Sequence, residues 1–136
     1  MVHGKAASSR KPHTLRKLGH VQAGFASPAD EELADTITVG EYLIRNKNAS
    51  YLLEVEGDSM QGAGILSGDL VIFERGKEPK VGDIVIALLE DGYTIKYLRK
   101  KQGKLYLEAA NPTYPNLYPK QGEIVGVVVA TFRSYT

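Results

Sequence analysis

The sequence predicts a mainly β protein: a compact, coiled β-sheet or small barrel preceded by an extended, partly disordered N-terminal arm. Two observations carry this. From Tyr51 to Phe132 the chain is a series of short apolar or alternating runs, each long enough for a strand, with Gly-containing turn signals between them. Residues 1–20, in contrast, combine Gly, Ser, Pro and charge without a sustained period of either kind.

Taken in order, residues 21–38 read as an extended arm. Pro28 disfavours helix at Ser27, and Asp30-Glu31-Glu32 belongs in water. A short helix is expected from Val39 to Asn46, where Tyr42, Leu43 and Ile44 make a small apolar patch. Strands follow at Tyr51–Glu56 and Leu70–Glu74, on either side of Gly62-Ala63-Gly64. Ile84–Leu89 is a continuous apolar run, suited to a strand buried on both faces. Asp91-Gly92 is a hairpin signal leading into Tyr93–Lys100, and Gln102-Gly103 is a second turn. Lys104–Ala109 and Ile124–Phe132 complete the set. Asn111-Pro112 through Tyr118-Pro119 reads as a loop, because its prolines prevent a regular ladder. The organisation expected is a basic segment at 1–23, a flexible arm and short helix at 24–50, and a β-rich domain at 51–136.

Composition narrows the function classes. A length of 136 residues suits one ordinary domain, and 43% hydrophobic residues supply a core. Having no cysteine, the chain has no disulfide, thiolate metal site or cysteine nucleophile. No apolar run approaches the roughly 18 residues that span a bilayer, and no apolar stretch follows the basic N-terminus as in a secretory signal. A cytoplasmic protein without membrane contact is expected. The sequence contains no metal constellation, phosphate-cradling loop or dinucleotide motif, so neither metal nor cofactor is expected. The net charge of +1 conceals an asymmetry: residues 1–23 hold five basic side chains and no acid, which leaves a net of −4 on the rest. Such a remainder argues against direct sequence-specific DNA binding by the β domain.

The candidate chemistry centres on Ser59, in Gly57-Asp58-Ser59-Met60 after a strand. A serine hydroxyl needs a base. All three histidines, His3, His13 and His20, precede the predicted fold, which makes a Ser-His-Asp triad a poor candidate. The lysine variant of the same logic points to Lys96, within the apolar strand Tyr93-Thr94-Ile95-Lys96-Tyr97-Leu98. Lowering a lysine pKa from ~10.4 by about three units costs around 4 kcal/mol, which burial can impose. The backbone N–H groups of Ser59 and Met60 are candidate oxyanion donors. Ala23-Gly24 is a candidate scissile bond, since small side chains on both sides let a buried nucleophile approach. Simpler readings stand beside these. Gly-Asp-Ser is ordinary turn chemistry, Met60 could fill the core, Lys96 could snorkel from a half-exposed strand, and Ala23-Gly24 could be a linker. Tyr114 and Tyr118 suit either loop packing or a recognition surface.

In their order and spacing, Ala23-Gly24, Gly57-Asp58-Ser59-Met60, Gly68-Asp69-Leu70-Val71-Ile72, Gly82-Asp83-Ile84-Val85-Ile86-Ala87 and Tyr93-Thr94-Ile95-Lys96-Tyr97-Leu98 resemble the LexA/UmuD family of self-cleaving serine–lysine proteins. The resemblance covers about residues 18–130. It implies Ser59 as nucleophile, Lys96 as general base, cleavage between Ala23 and Gly24, the family's compact β fold and a homodimer. With 23 residues before the cut and no room for a helix-turn-helix domain, the chain resembles the UmuD branch, accessory subunits of the error-prone translesion polymerase V. That branch implies stimulation by a RecA filament on single-stranded DNA and a UmuC-like Y-family polymerase partner. The Ala-Gly bond is a departure, being LexA-like where enterobacterial UmuD has Cys-Gly. Competing classes are a LexA-like or phage-type transcriptional regulator fragment and a non-enzymatic β interaction module. A signal-peptidase-like enzyme would be expected to carry a membrane anchor.

Overall fold

The computed structural model describes residues 13–26 and 36–136. Lys5, Arg10 and Lys11 of the basic segment, and the expected arm around Pro28 and Asp30-Glu31-Glu32, lie outside the described residues. The chain divides into two compact units, Met1–Leu43 and Ile44–Thr136.

In the first unit β1 (Thr14–Arg16) pairs antiparallel with β2 (Thr36–Thr38), Thr14 opposite Thr38. The sequence reading placed no strand in residues 13–20, because three residues are too few to display an alternation. Helix α1 (Val39–Leu43) follows directly. Its start is capped by Thr38, whose hydroxyl oxygen accepts the Glu41 N–H at 3.2 Å and donates to the Glu41 carboxylate at 2.6 Å. The helix ends three residues before the expected Asn46.

The second unit opens with a turn in which the Asn46 carbonyl accepts Ala49 N–H at 3.1 Å and Ser50 Oγ at 2.6 Å. Six strands follow: β3 (Ser50–Glu54), β4 (Leu70–Glu74), β5 (Ile84–Leu89), β6 (Gly92–Lys101), β7 (Lys104–Glu108) and β8 (Ile124–Phe132). They form one antiparallel sheet in the order β3-β4-β8-β5-β6-β7, open at β3 and β7 rather than closed into a barrel. Two tight hairpins arise, one at the predicted Gln102-Gly103 and one a residue earlier than the predicted Asp91-Gly92. Leu89 faces Gly92 across Glu90-Asp91, and Lys101 faces Lys104 across Gln102-Gly103, where both turn residues have positive φ. Strand β8 inserts between β4 and β5, with register shifts against each. Such bulges add bend and twist, which coils the sheet.

The predicted two-sided burial of β5 is observed: Val85, Ile86 and Ala87 are each at most 1% exposed. Alternation sends Ile86 to one cluster with Val55, Met60, Ile65, Val71 and Phe73, and Val85 and Ala87 to another with Leu98, Leu107 and Val127. The first cluster lies directly beneath the turn that carries Ser59. Past β3, Val55 remains paired, donating to Asp69 O and accepting from Gly68 N, both at 2.8 Å. Gly57 then turns the chain with φ +89°, a conformation that disfavours a side chain. A single 3₁₀ turn, Gln61–Ala63, closes the loop.

Candidate active site

Ser59 sits between two anchors. On its C-terminal side Met60 is 1% exposed and packs in the core, as one sequence reading allowed. On its N-terminal side the Asp58 carbonyl accepts Gln61 N–H at 3.2 Å and Asn111 Nδ2 at 3.1 Å. Ser59 itself is partly exposed, at the end of a groove of about 270 Å³ walled by Leu53–Glu56 on one side and Tyr93–Ile95 on the other. Among the described residues, neither the Ser59 nor the Met60 N–H donates to a protein acceptor.

Lys96 comes to this turn from the middle of β6. Opposite Val85 in the ladder, it is 6% exposed. Its burial rules out a stem that snorkels from a half-exposed strand. Its Nζ lies 3.2 Å from Ser59 Oγ and 2.7 Å from Thr94 Oγ1. Thr94 is two residues earlier on the same face of the strand, so strand periodicity alone puts the two side chains in reach. No carboxylate lies within ion-pair distance of Lys96 among the described residues. Burial therefore acts unopposed and pushes the ammonium pKa below the ordinary lysine value.

The groove also offers a backbone edge. Because β3 is the outermost strand among the described residues and Val55 pairs toward β4, alternation turns the main-chain groups of Glu54 to the open side. An extended peptide can add to such an edge by main-chain hydrogen bonds.

Ala23 and Gly24, in the first unit, are exposed, between Val21 at 93% and Phe25 at 98% exposure. A Cβ added at Gly24 would meet no atom within 4 Å. The structure thus brings Ser59 and Lys96 together, while Ala23-Gly24 belongs to a separately described unit. Sequence reasoning missed Thr94 and Asn111 as neighbours of the site. Thr94 could have been found as the polar residue two before a candidate base. Nothing local to Asn111 marks it, since it contacts Asp58 across 53 positions. Tyr114, read as packing or recognition, donates to Asp58 Oδ1 at 2.5 Å.

A family model described as Peptidase S24-like matches residues 17–129, most of the chain. The chain belongs to the Peptidase S24-like family. Ala23, Gly24, Ser59 and Lys96 all lie inside the S24-like match. Protein SamA of Salmonella typhimurium is 40% identical over 108 residues, covering 79% of this chain and 76% of SamA. The LexA repressor of Clostridium tetani is 39% identical over 118 residues, covering 87% of this chain and 59% of the repressor. The LexA repressor of Clostridium acetobutylicum is 35% identical over 128 residues, covering 94% and 63% respectively. This S24-like chain therefore spans less than two thirds of the length of those repressors. Among its described residues, no helix is long and apolar enough to cross a membrane, and no group of three His, Cys, Asp or Glu side chains is arranged to hold a metal ion.

Proposed function

We propose that this chain is a self-cleaving serine–lysine peptidase of the DNA-damage response that cuts between Ala23 and Gly24. The observation that carries the reading is the 3.2 Å approach to Ser59 Oγ of a buried Lys96 that has no ion pair among the described residues. The S24-like match supports it independently.

Neutral Lys96 takes the Ser59 hydroxyl proton as Oγ attacks the Ala23 carbonyl carbon. Negative charge gathers on the carbonyl oxygen, where the Ser59 and Met60 N–H groups, unpaired among the described residues, can donate. The tetrahedral adduct collapses as the Lys96 ammonium returns its proton to the Gly24 nitrogen, the Ala23–Gly24 bond breaks, and Ser59 carries an acyl group. Water then gives a proton to Lys96 and attacks the ester. The Ala23 carboxylate leaves and Ser59 regains its proton. Thr94 holds one Lys96 hydrogen at 2.7 Å, which aims the nitrogen lone pair toward Ser59.

Release of residues 1–23 removes five basic side chains and moves the formal net charge from +1 to −4. In the finer reading this activates a UmuD-type subunit: RecA filaments on single-stranded DNA stimulate the cut, and the shortened chain, as a homodimer, joins a UmuC-like polymerase subunit in the cytoplasm. This branch rests on the resemblance of the chain's motifs to UmuD-type proteins. The second reading, a regulator of transcription, draws on the likeness to LexA repressors.

Purified protein incubated at mildly alkaline pH, with and without activated RecA filament, tests the core claim by intact mass. Loss of residues 1–23 in the parent, absent in Ser59→Ala and Lys96→Ala, is the expected result. Persistence of the full-length chain under both conditions would falsify it.

A further inference from the structure

Resting on that reading, we infer that Asn111, with Tyr114 as a second grip, positions the Asp58–Ser59 peptide and so aims the Ser59 N–H at the developing oxyanion. Asn111 is 7% exposed, on the loop after β7. Its Oδ1 accepts Thr113 N–H at 3.1 Å and the Thr113 hydroxyl at 2.9 Å. The backbone donor assigns the oxygen, so the other carboxamide atom is the nitrogen that donates to Asp58 O at 3.1 Å. A peptide unit is planar, with its C=O and N–H pointing in opposite directions. Holding the Asp58 oxygen on one side therefore directs the Ser59 N–H to the other. The Gln61 N–H also meets that oxygen, at 3.2 Å, but it belongs to the same turn and rotates with it. Asn111 holds the turn from outside.

Two further ties make the segment from Ala110 to Tyr114 a template for the nucleophile turn. Tyr114 OH donates to Asp58 Oδ1 at 2.5 Å, and this bond raises the phenol pKa, which keeps the donor proton in place. Gly62 N–H donates to Ala110 O at 2.8 Å. A Cβ on Gly62 would stand 2.6 Å from that oxygen, so the loop and the 3₁₀ turn touch only because residue 62 has no side chain. None of these groups is bonded to Lys96. Asn111 and Tyr114 therefore act on the oxyanion donor and leave the base alone.

The test is the pH profile of self-cleavage in the full chain. Asn111→Ala should slow cleavage on the order of 100-fold at every pH, as loss of an oxyanion donor does, with the midpoint of the pH-dependent rise unmoved. Tyr114→Phe should slow it several-fold with the same midpoint. Parent rates in a folded Asn111→Ala overturn the assignment and leave the peptidase reading standing. A displaced midpoint also overturns it, because the effect would then act through Lys96. No cleavage in the parent sinks both. If Asn111→Ala fails to fold by circular dichroism, Tyr114→Phe decides. Tyr114 is 40% exposed and loses only a hydroxyl, so parent rates or a moved midpoint there overturn the assignment.

Discussion

Arg133 grips Asp69 with two nitrogens, Nε at 2.6 Å from one carboxylate oxygen and Nη2 at 2.7 Å from the other. Asp69 is 1% exposed, and its second oxygen also accepts Leu66 N–H at 2.8 Å. The same Arg133 nitrogen donates to Gly64 O at 2.8 Å, which ties the residue after β8 to the loop that follows Ser59. Through its carbonyl, Asp69 also holds Val55, the last paired residue before the turn that carries Ser59. The pair is thus a brace for the site, built from a bidentate, charge-assisted contact.

The brace gives stability an acid limit. The Arg133 guanidinium, then the Leu66 N–H, hold the Asp69 carboxyl at about 2, below its ordinary value of 3.8. A depressed carboxylate pKa contributes stability above the unfolded value and loses it as pH falls through the folded one. Melting temperature should therefore fall between roughly pH 4 and pH 2. Asp69→Asn should melt several degrees lower at neutral pH and lose part of this acid dependence. An unchanged acid limb in Asp69→Asn would remove the brace from the account.

Lys96 has a pH slope of the same sign, but its burial costs stability at neutral pH where Asp69 contributes it. Its pKa is lowered, so across the window between the folded value and 10.5 the unfolded chain binds more protons and stability rises with pH. Lys96→Met, which removes the buried charge, should stabilise the fold at neutral pH by on the order of 1 kcal/mol while abolishing cleavage. The gain should shrink as the pH is raised. Thermal melts of both proteins across pH, alongside intact mass, check the two effects together.

Thr94→Val keeps the shape of the side chain and removes the oxygen 2.7 Å from Lys96 Nζ. A hydrogen bond of about 1 kcal/mol corresponds to a rate loss of roughly 5- to 10-fold if it aims the lone pair. Single-turnover cleavage rates should show this loss without a drop in melting temperature large enough to explain it. A parent rate would mean that Lys96 needs no guide.

Gly24→Val addresses the bond itself. A Cβ added at Gly24 meets no atom within 4 Å among the described residues, so the melting temperature should change little. Branching beside the scissile bond should nevertheless block approach of Ser59, reducing cleavage by at least about 100-fold. Cleavage at the parent rate would place the cut elsewhere.

Gly62→Ala should be costly for the reason that Gly24→Val is not. Its Cβ would meet backbone, Ala110 O at 2.6 Å, rather than a side chain that can swing away. Crowding of this kind costs about 1–3 kcal/mol. The denaturation midpoint should fall accordingly, and self-cleavage should slow as the loop carrying Asn111 is pushed from Asp58.

The limits of sequence reading follow from the range of each signal. Leu70–Glu74, Ile84–Leu89 and Ile124–Phe132 have the predicted bounds because apolar runs between turn residues are local features. Asp91-Gly92 marked its hairpin for the same reason. The strands Thr14–Arg16 and Thr36–Thr38 were invisible, since each is defined by its partner and not by its own pattern. Sheet closure was equally out of reach. Whether β3 meets β7 depends on where β8 inserts, which no single segment encodes.

The site divides along the same line. The sequence by itself determined the β content, the nucleophile and base to consider, the poor case for a Ser-His-Asp triad, and the order of motifs that resembles the LexA/UmuD family. Only the tertiary structure decided that Lys96 is buried, that it reaches Ser59 across 37 positions, and that Thr94, Asn111 and Tyr114 hold the pieces in place. The physical reason is that residue type and strand period are properties of a few neighbours. Desolvation and proximity, which turn a lysine into a base, arise only when distant strands pack.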